Sequence, residues 1–279
     1  MYLSIFFVLG LCIGSFSNVI IYRLPIILFK SDTSGTFNLF LPRSHCPGCL
    51  HPLGTLQLIP LVSWVCQLGN CRHCKKNISA VYPSVELLNA LMYMAIAVLV
   101  REPLTAMPLC LFGSALIILA AIDYRHMILP DVITLPLLWA GLLWNSTGFG
   151  LVDTQQALWG AAMGYVSLWA TYWLYLLSRK REGLGYGDFK ISAALGAWLG
   201  ADSIAFIVFI GSILGVCIWG GRRTANRHAG IPFGPALCVA AMMYSGYQLL
   251  ARAPMISVLM PENLLPQFYF WLLSVRSVC

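Results

Sequence analysis

Residues 103–125 read PLTAMPLCLFGSALIILAAIDYR, twenty uncharged positions followed by Asp123 and Arg125. At 1.5 Å per residue a helix of that length covers about 30 Å, the thickness of a bilayer's hydrocarbon core. The run therefore has the length to cross a membrane, and the two charges mark where it meets water. Seven further apolar runs lie near 1–22, 84–100, 130–148, 156–177, 188–201, 203–220 and 232–251. The pattern predicts an all-α polytopic membrane protein of about eight transmembrane helices.

Composition agrees. Of 279 residues, 59% are hydrophobic and 10% charged, whereas soluble domains carry about 25% charge. A soluble chain needs that charge to stay dispersed, and a chain solvated by lipid does not. The net charge of +7 does not signal nucleic acid, because the bases fall between apolar runs rather than on one solvent-facing patch. They report orientation instead. The loop from Arg23 to Pro83 holds Arg23, Lys30, Arg43, Arg72, Lys75 and Lys76 against Asp32 alone, which places it in the cytoplasm. Alternating spans then bring Arg125, Arg179-Lys180-Arg181 and the group Arg222, Arg223 and Arg227 to the same side, with the N-terminus outside. The first run lacks a basic start and a clear cleavage site, so it reads as a retained span rather than a signal peptide.

The expected organisation is a first helix (1–22), a cytoplasmic zinc-binding loop (23–83), a membrane core (84–251) and a tail (252–279). In the tail, Phe268 to Leu273 is apolar but too short to span, which predicts an interfacial segment.

Zinc is read from the loop's cysteines. Cys46-Pro47-Gly48-Cys49 and Cys71-Arg72-His73-Cys74 form two CxxC pairs with twenty-one residues between them. Together they offer four thiolates to one tetrahedral Zn2+, and four thiolates leave no open position, so the metal is structural. The alternatives are two disulfides, disfavoured in reducing cytoplasm, and a redox motif, which usually needs one CxxC on a βαβ scaffold. His45, His51 and His73 are substitute ligands, and Cys66, off the pattern, is expected to be a buried thiol. The loop shows few apolar clusters, so metal binding is expected to supply folding energy that its small core cannot. Cys12, Cys110, Cys217 and Cys238 lie in apolar runs and act as small hydrophobes.

Ten carboxylates occur in the whole chain, and an aspartate at the centre of a membrane helix costs roughly 2.5–3.5 kcal/mol, so those near spans need explaining. Asp123 ends the third span, where a boundary pairing with Arg125 is its plainest role. Asp131 opens the fourth span after Pro130 and suits a helix N-terminus. Asp188 closes Gly183-Leu184-Gly185-Tyr186-Gly187-Asp188. It too can cap a helix, but a cap does not require three alternating glycines, which let backbone approach a neighbour closely and free the aspartate to be aimed. The topology puts all three acids at the cytoplasmic face. Two of them sharing a proton can activate water and protonate a leaving amine. Spacing does not choose between Asp123 and Asp131 as the partner of Asp188.

These residues, taken in order, resemble the bacterial type IV prepilin peptidases, the leader peptidase/N-methyltransferases of the GxGD membrane aspartyl proteases. The resemblance runs through Gly14-Ser15-Phe16-Ser17-Asn18-Val19 with Tyr22-Arg23-Leu24-Pro25, the paired CxxC loop, and Tyr82-Pro83-Ser84-Val85-Glu86-Leu87. It continues through Ile122-Asp123 with Leu129-Pro130-Asp131, Gly185-Tyr186-Gly187-Asp188-Phe189-Lys190 and Pro232-Phe233-Gly234-Pro235. It implies that Asp123 and Asp188 are the catalytic pair. It implies cleavage of the leader of type IV prepilins or type II secretion pseudopilins in the bacterial inner membrane, with the active site facing the cytoplasm. Methylation of the new N-terminus with S-adenosylmethionine is implied in the same way, and no fingerprint for the donor appears in the residues themselves. Glu86 is expected to meet the leader or substrate amine or to pair with a nearby arginine, and Gly14 to Asn18 to serve close helix packing. Two rivals stand beside the peptidase. An ion or proton path would spread acids through the membrane depth, and a zinc scaffold or redox protein would leave the aspartates incidental.

Overall fold

The computed structural model of the chain describes residues 1–29, 38–46, 48–180, 183–219 and 232–252. Each apolar run becomes a helix: α1 (Tyr2–Phe29), α3 (Val81–Leu99), α4 (Pro103–His126), α5 (Asp131–Ser146), α6 (Thr154–Arg179), α7 (Tyr186–Leu199), α8 (Ala201–Trp219) and α9 (Gly234–Arg252). The loop adds a 3-10 turn, Thr55–Leu58, and the short α2 (Val62–Cys66). Among the described residues there are no strands, only two isolated bridges in the loop. Residues 253–279 of the tail, the cluster Arg222, Arg223 and Arg227, and Lys30, Asp32 and Arg181 lie outside the described residues.

Four of the eight long helices, α1, α3, α4 and α8, are long and apolar enough to cross a membrane by themselves. The others differ for identifiable reasons. With 16 and 14 residues, α5 and α7 are short, α6 carries Gln, Ser, Thr, Tyr and Trp side chains that lower its hydropathy, and α9 likewise carries Pro, Ser, Tyr, Gln and Arg. Helix α1 continues beyond the apolar run that ends at residue 22, through Pro25 to Phe29. Arg23, which opens that extension, is buried, and its guanidinium donates to the carbonyls of Asn38, Leu39 and Pro42. Those bonds satisfy the charged head where a solvent-facing end was expected.

Small residues set the helix contacts. Gly10 and Gly14 press α1 onto α3 so closely that a Cβ would stand 2.6 Å from the Ala90 Cα and 2.7 Å from the Glu86 Cα, which is the packing role expected of this N-terminal stretch. Helix α7 is the hub, buried from Ile191 to Leu199 between α5, α6, α8 and α9. Gly196 meets Gly160 of α6 with no room for a Cβ on either. Trp198 stacks on Phe112 and donates its indole N–H to the Leu137 carbonyl at 2.8 Å, and Asn145 donates to the Ala197 carbonyl at 2.7 Å. Gly200 ends α7 at φ +85°, a conformation that lets α8 follow at once.

Replacing Gly160 by valine should therefore force α6 away from α7 and lower stability by about 1–3 kcal/mol. The expected reading is a depressed thermal midpoint in detergent, with Gly246→Ala, where a Cβ meets open space, close to the parent.

Candidate active site and metal knuckle

Asp123 and Asp188 are both buried, 5% and 7% exposed, although they come from separate helices. Asp123 sits in the last turn of α4, whose chain then reverses through the left-handed Met127. Its carboxylate turns inward while Arg125 is exposed, so the expected boundary pairing with Arg125 gives way to a backbone contact: Gly234 N–H donates to Asp123 Oδ2 at 3.0 Å. That donor belongs to the first residue of α9, a helix start with no Ser, Thr, Asp or Asn to cap it. Asp123 thus fills from another element the role that a local cap would play.

Asp188 is the third residue of α7, and its Oδ2 accepts the Gly185 N–H at 3.2 Å. The capping role anticipated for Asp188 is real, and it occupies one carboxylate oxygen. Both acids consequently lie at the partially positive ends of helices, α9 for Asp123 and α7 for Asp188. A charge-assisted hydrogen bond is worth about 1.5–3 kcal/mol, comparable to the roughly 2.5–3.5 kcal/mol cost of an aspartate inside a membrane helix. The two terms are close enough for burial to be tolerated.

The pair is brought together by a shared neighbour. A Cβ on Gly187 would meet the Leu129 side chain at 2.9 Å, and one on Gly234 would meet Asp123 Oδ2 at 2.7 Å and Leu129 Cδ1 at 3.2 Å. Leu129 is therefore wedged between the residue before Asp188 and the residue that holds Asp123. The carboxylates feel each other's charge, and the buried thiol of Cys238 lies within electrostatic reach of both. Of the three glycines before Asp188, Gly187 is the one whose lack of a side chain permits close approach to this centre. Gly185 has ordinary extended geometry and serves by its N–H.

Asp131 stands apart. It is exposed and paired with Lys190, whose Nζ reaches its two oxygens at 2.8 and 2.7 Å. It lies in the first turn of α5, as expected, but its carboxylate bonds this lysine instead of capping the backbone. Gly234 was missed as a partner of Asp123; the available signal was the uncapped Pro232-Phe233-Gly234-Pro235 opening an apolar run.

Four sulfurs gather in the loop. The Sγ atoms of Cys46, Cys49, Cys71 and Cys74 all lie within 4.8 Å of one another, and those of Cys46 and Cys74 are 3.8 Å apart. Tetrahedral zinc with Zn–S bonds near 2.3 Å needs sulfur separations of about 3.8 Å, whereas a disulfide needs about 2.05 Å. The donor set fits one closed tetrahedral ion. The two knuckles fold alike: Cys46 N–H donates to His51 O while Leu50 N–H donates to Cys46 O, and Cys71 N–H donates to Lys76 O while Lys75 N–H donates to Cys71 O. No histidine is needed as a substitute ligand, and the rings of His51 and His73 face each other at 3.6 Å. Cys66 is exposed at the end of α2, contrary to the buried thiol expected. N–H donation, chiefly from Gly48, stabilises the Cys46 thiolate and lowers its pKa to about 6.

Glu86 is buried, and it meets neither an arginine nor open space. Its Oε2 accepts the Leu61 N–H at 2.8 Å, and Ser15 of α1 also bonds it. The carboxylate thereby ties the loop to α1 and α3.

Comparison with known proteins agrees with this division. Residues 8–100 match the bacterial Peptidase A24 N-terminal domain, and residues 110–220 match the type IV leader peptidase family. A prepilin leader peptidase/N-methyltransferase of Aeromonas hydrophila is 43% identical over 258 residues, 86% of this chain and 89% of the relative. Proteins of the same description from Stutzerimonas stutzeri and Dichelobacter nodosus are 40% and 38% identical, over 84% and 86% of this chain and 86% and 91% of their own lengths. No solved structure matches the chain.

The purified chain should contain one zinc per molecule by elemental analysis, and Cys46→Ser or Cys71→Ser should lose it. Metal binding displaces protons from the thiols, so zinc affinity should fall as pH is lowered. The fall should steepen below about 6, where Cys46 of the metal-free knuckle takes up its proton.

Proposed function

The chain belongs to the type IV leader peptidase family, and from that membership we propose that it removes the leader of a prepilin or pseudopilin with Asp123 and Asp188 as the catalytic pair. The observation that supports the assignment is two buried carboxylates, from α4 and α7, within electrostatic reach of each other, each with one oxygen held by a backbone N–H. The remaining oxygens are available to a water molecule. With one proton shared by the pair, the unprotonated carboxylate takes a proton from water as it attacks the scissile carbonyl. The protonated partner gives its proton to the departing amine. Asp131, neutralised by Lys190, has neither the burial nor the free valence for this work, and we assign it to fixing α5 against α7.

The proposed setting is a bacterial inner membrane crossed eight times. The first helix (1–22) is followed by the cytoplasmic loop (23–83), the protease core (84–251) and the tail (252–279), and the aspartates face the cytoplasm. Short α7 is compatible with a crossing because it is enclosed by other helices and needs no lipid-length apolar surface. A prepilin anchored by its own apolar helix, leader inside, presents its scissile bond at this depth. Clustering of the acids at one end of the bundle disfavours an ion path, which needs them at successive depths.

Zinc, held by Cys46, Cys49, Cys71 and Cys74, supplies a rigid cross-link to the loop and no activated water. The relatives' description extends to N-methylation, and we propose S-adenosylmethionine as methyl donor to the new N-terminus. The described residues assign no side chain to that donor.

Incubating the detergent-purified chain with a prepilin and weighing the products tests the peptidase reading. Asp123→Asn and Asp188→Asn should each reduce leader release by about 10²–10⁴-fold or more, while Asp131→Asn retains most of it. Full activity in either of the first two would remove that residue from the pair. Adding S-adenosylmethionine should increase the mature product's mass by one methyl group, and an unchanged mass would restrict the enzyme to proteolysis.

A further inference from the structure

No Asp, Glu, Lys or Arg occurs between Arg43 and Arg72, a gap of twenty-eight residues. In the middle of that gap the 3-10 turn and α2 bury none of their residues. Leu56, Leu58, Ile59, Val62, Val65 and Leu68 are between 42% and 83% exposed. These side chains join none of the buried apolar clusters, as expected of a loop with little core of its own, and they form an apolar surface that faces outward. A water-facing loop does not keep a contiguous surface of this kind uncovered.

Depth indicates what covers it. Leu61, between the 3-10 turn and α2, donates its N–H to Glu86. Glu86 lies five residues inside α3, about 7.5 Å along the axis from Val81 at 1.5 Å per residue. The preceding residue, Val85, clusters with Ile117 and Ile118 of α4, which puts it about 8 Å further into the bundle than Asp123 on the same rise. The 19 residues of α3 span about 28 Å, so a bilayer uses the whole helix. Helical side chains lean toward the helix start, so the Glu86 carboxylate meets Leu61 nearer Val81 than its own backbone lies, and the turn at Leu61 sits at about the level where α3 enters lipid.

The local backbone suits that position. Leu61, Ser63, Val65 and Gln67 all have N–H partners, Gly54 N–H is taken by the Gln57 side chain, and Trp64 donates to the Ile78 carbonyl. Paired backbone is the requirement for a non-spanning segment at membrane depth.

We propose that residues 54–68 form an interfacial strap, lying in the boundary between headgroups and acyl chains of the leaflet beside the aspartates, with the six apolar side chains in lipid. Two observations favour lipid as the occupant. Exposed Leu87, Leu88 and Leu91 continue the apolar surface along α3, so the lipid that covers that helix extends onto the strap. Exposed Arg72, Lys75 and Lys76 follow it in the chain and match anionic headgroups. The strap does not depend on the peptidase assignment.

The test places the full-length chain in nanodiscs containing phosphatidylglycerol, with Cys12, Cys66 and Cys217 changed to alanine and a nitroxide attached at V65C. Collision rates with oxygen, which concentrates in lipid, and with chromium oxalate, which stays in water, are then compared. L111C, exposed on the membrane helix α4, and R43C serve as lipid and aqueous references. The expected result is a ratio of oxygen to chromium oxalate collisions at V65C that departs from R43C in the direction of L111C, repeated at L68C. A V65C label as accessible to chromium oxalate as R43C would put the strap in water. Protection from both reagents at V65C and L68C would mean that protein covers it, and either result would overturn the proposal.

Discussion

Two carboxylates of like charge share an apolar bundle, and the rest of the site follows from how that is made tolerable. Each gives one oxygen to the N–H of a glycine at a helix start, Gly234 for Asp123 and Gly185 for Asp188. Helix starts carry unsatisfied donors and partial positive charge. The bundle directs two of them at the pair, with Leu129 wedged between. The arrangement couples the start of α7, the start of α9 and the end of α4, so a displacement of any one of these moves a carboxylate. It also explains why Gly187 and Gly234 have no side chain to spare: a Cβ at either would press on Leu129, and at Gly234 on the Asp123 carboxylate too.

The same economy governs the other half of the chain. Buried Arg23 gathers the carbonyls of Asn38, Leu39 and Pro42, and buried Glu86 gathers the Leu61 N–H and Ser15. One buried cation and one buried anion each anchor the loop's backbone to α1 and α3 instead of pairing with each other. Four cysteines gather their sulfurs in another part of the loop. The loop is thereby held by buried charge where it meets α1 and α3, and its own apolar residues are left outward. A loop that kept its hydrophobic residues for an internal core would not need either anchor.

Much of this was legible before any coordinates. Hydropathy alone located every long helix, because lipid demands apolar runs of a set length. The spacing of two CxxC pairs was sufficient to predict a common sulfur cluster, since ligand geometry is local to each knuckle. Resemblance to a known family singled out Asp123 over Asp131, a choice that spacing left open. Several local readings failed for one reason. Asp123 beside Arg125, Glu86 near an arginine and Cys66 as a buried thiol were each judged from sequence neighbours, and each has surroundings set by residues distant in the chain.

What the sequence by itself determined, then, is what depends on short-range rules: membrane class, helix positions, the paired knuckles and the shortlist of acids. Tertiary structure alone decided which acid turns inward, since only packing brings Gly234 to Asp123 across 111 positions and Lys190 to Asp131 across 59. It also decided that Glu86 binds a loop backbone. A buried charge takes whatever donor the fold delivers within about 3 Å, and no spacing rule within one helix reports what arrives from another.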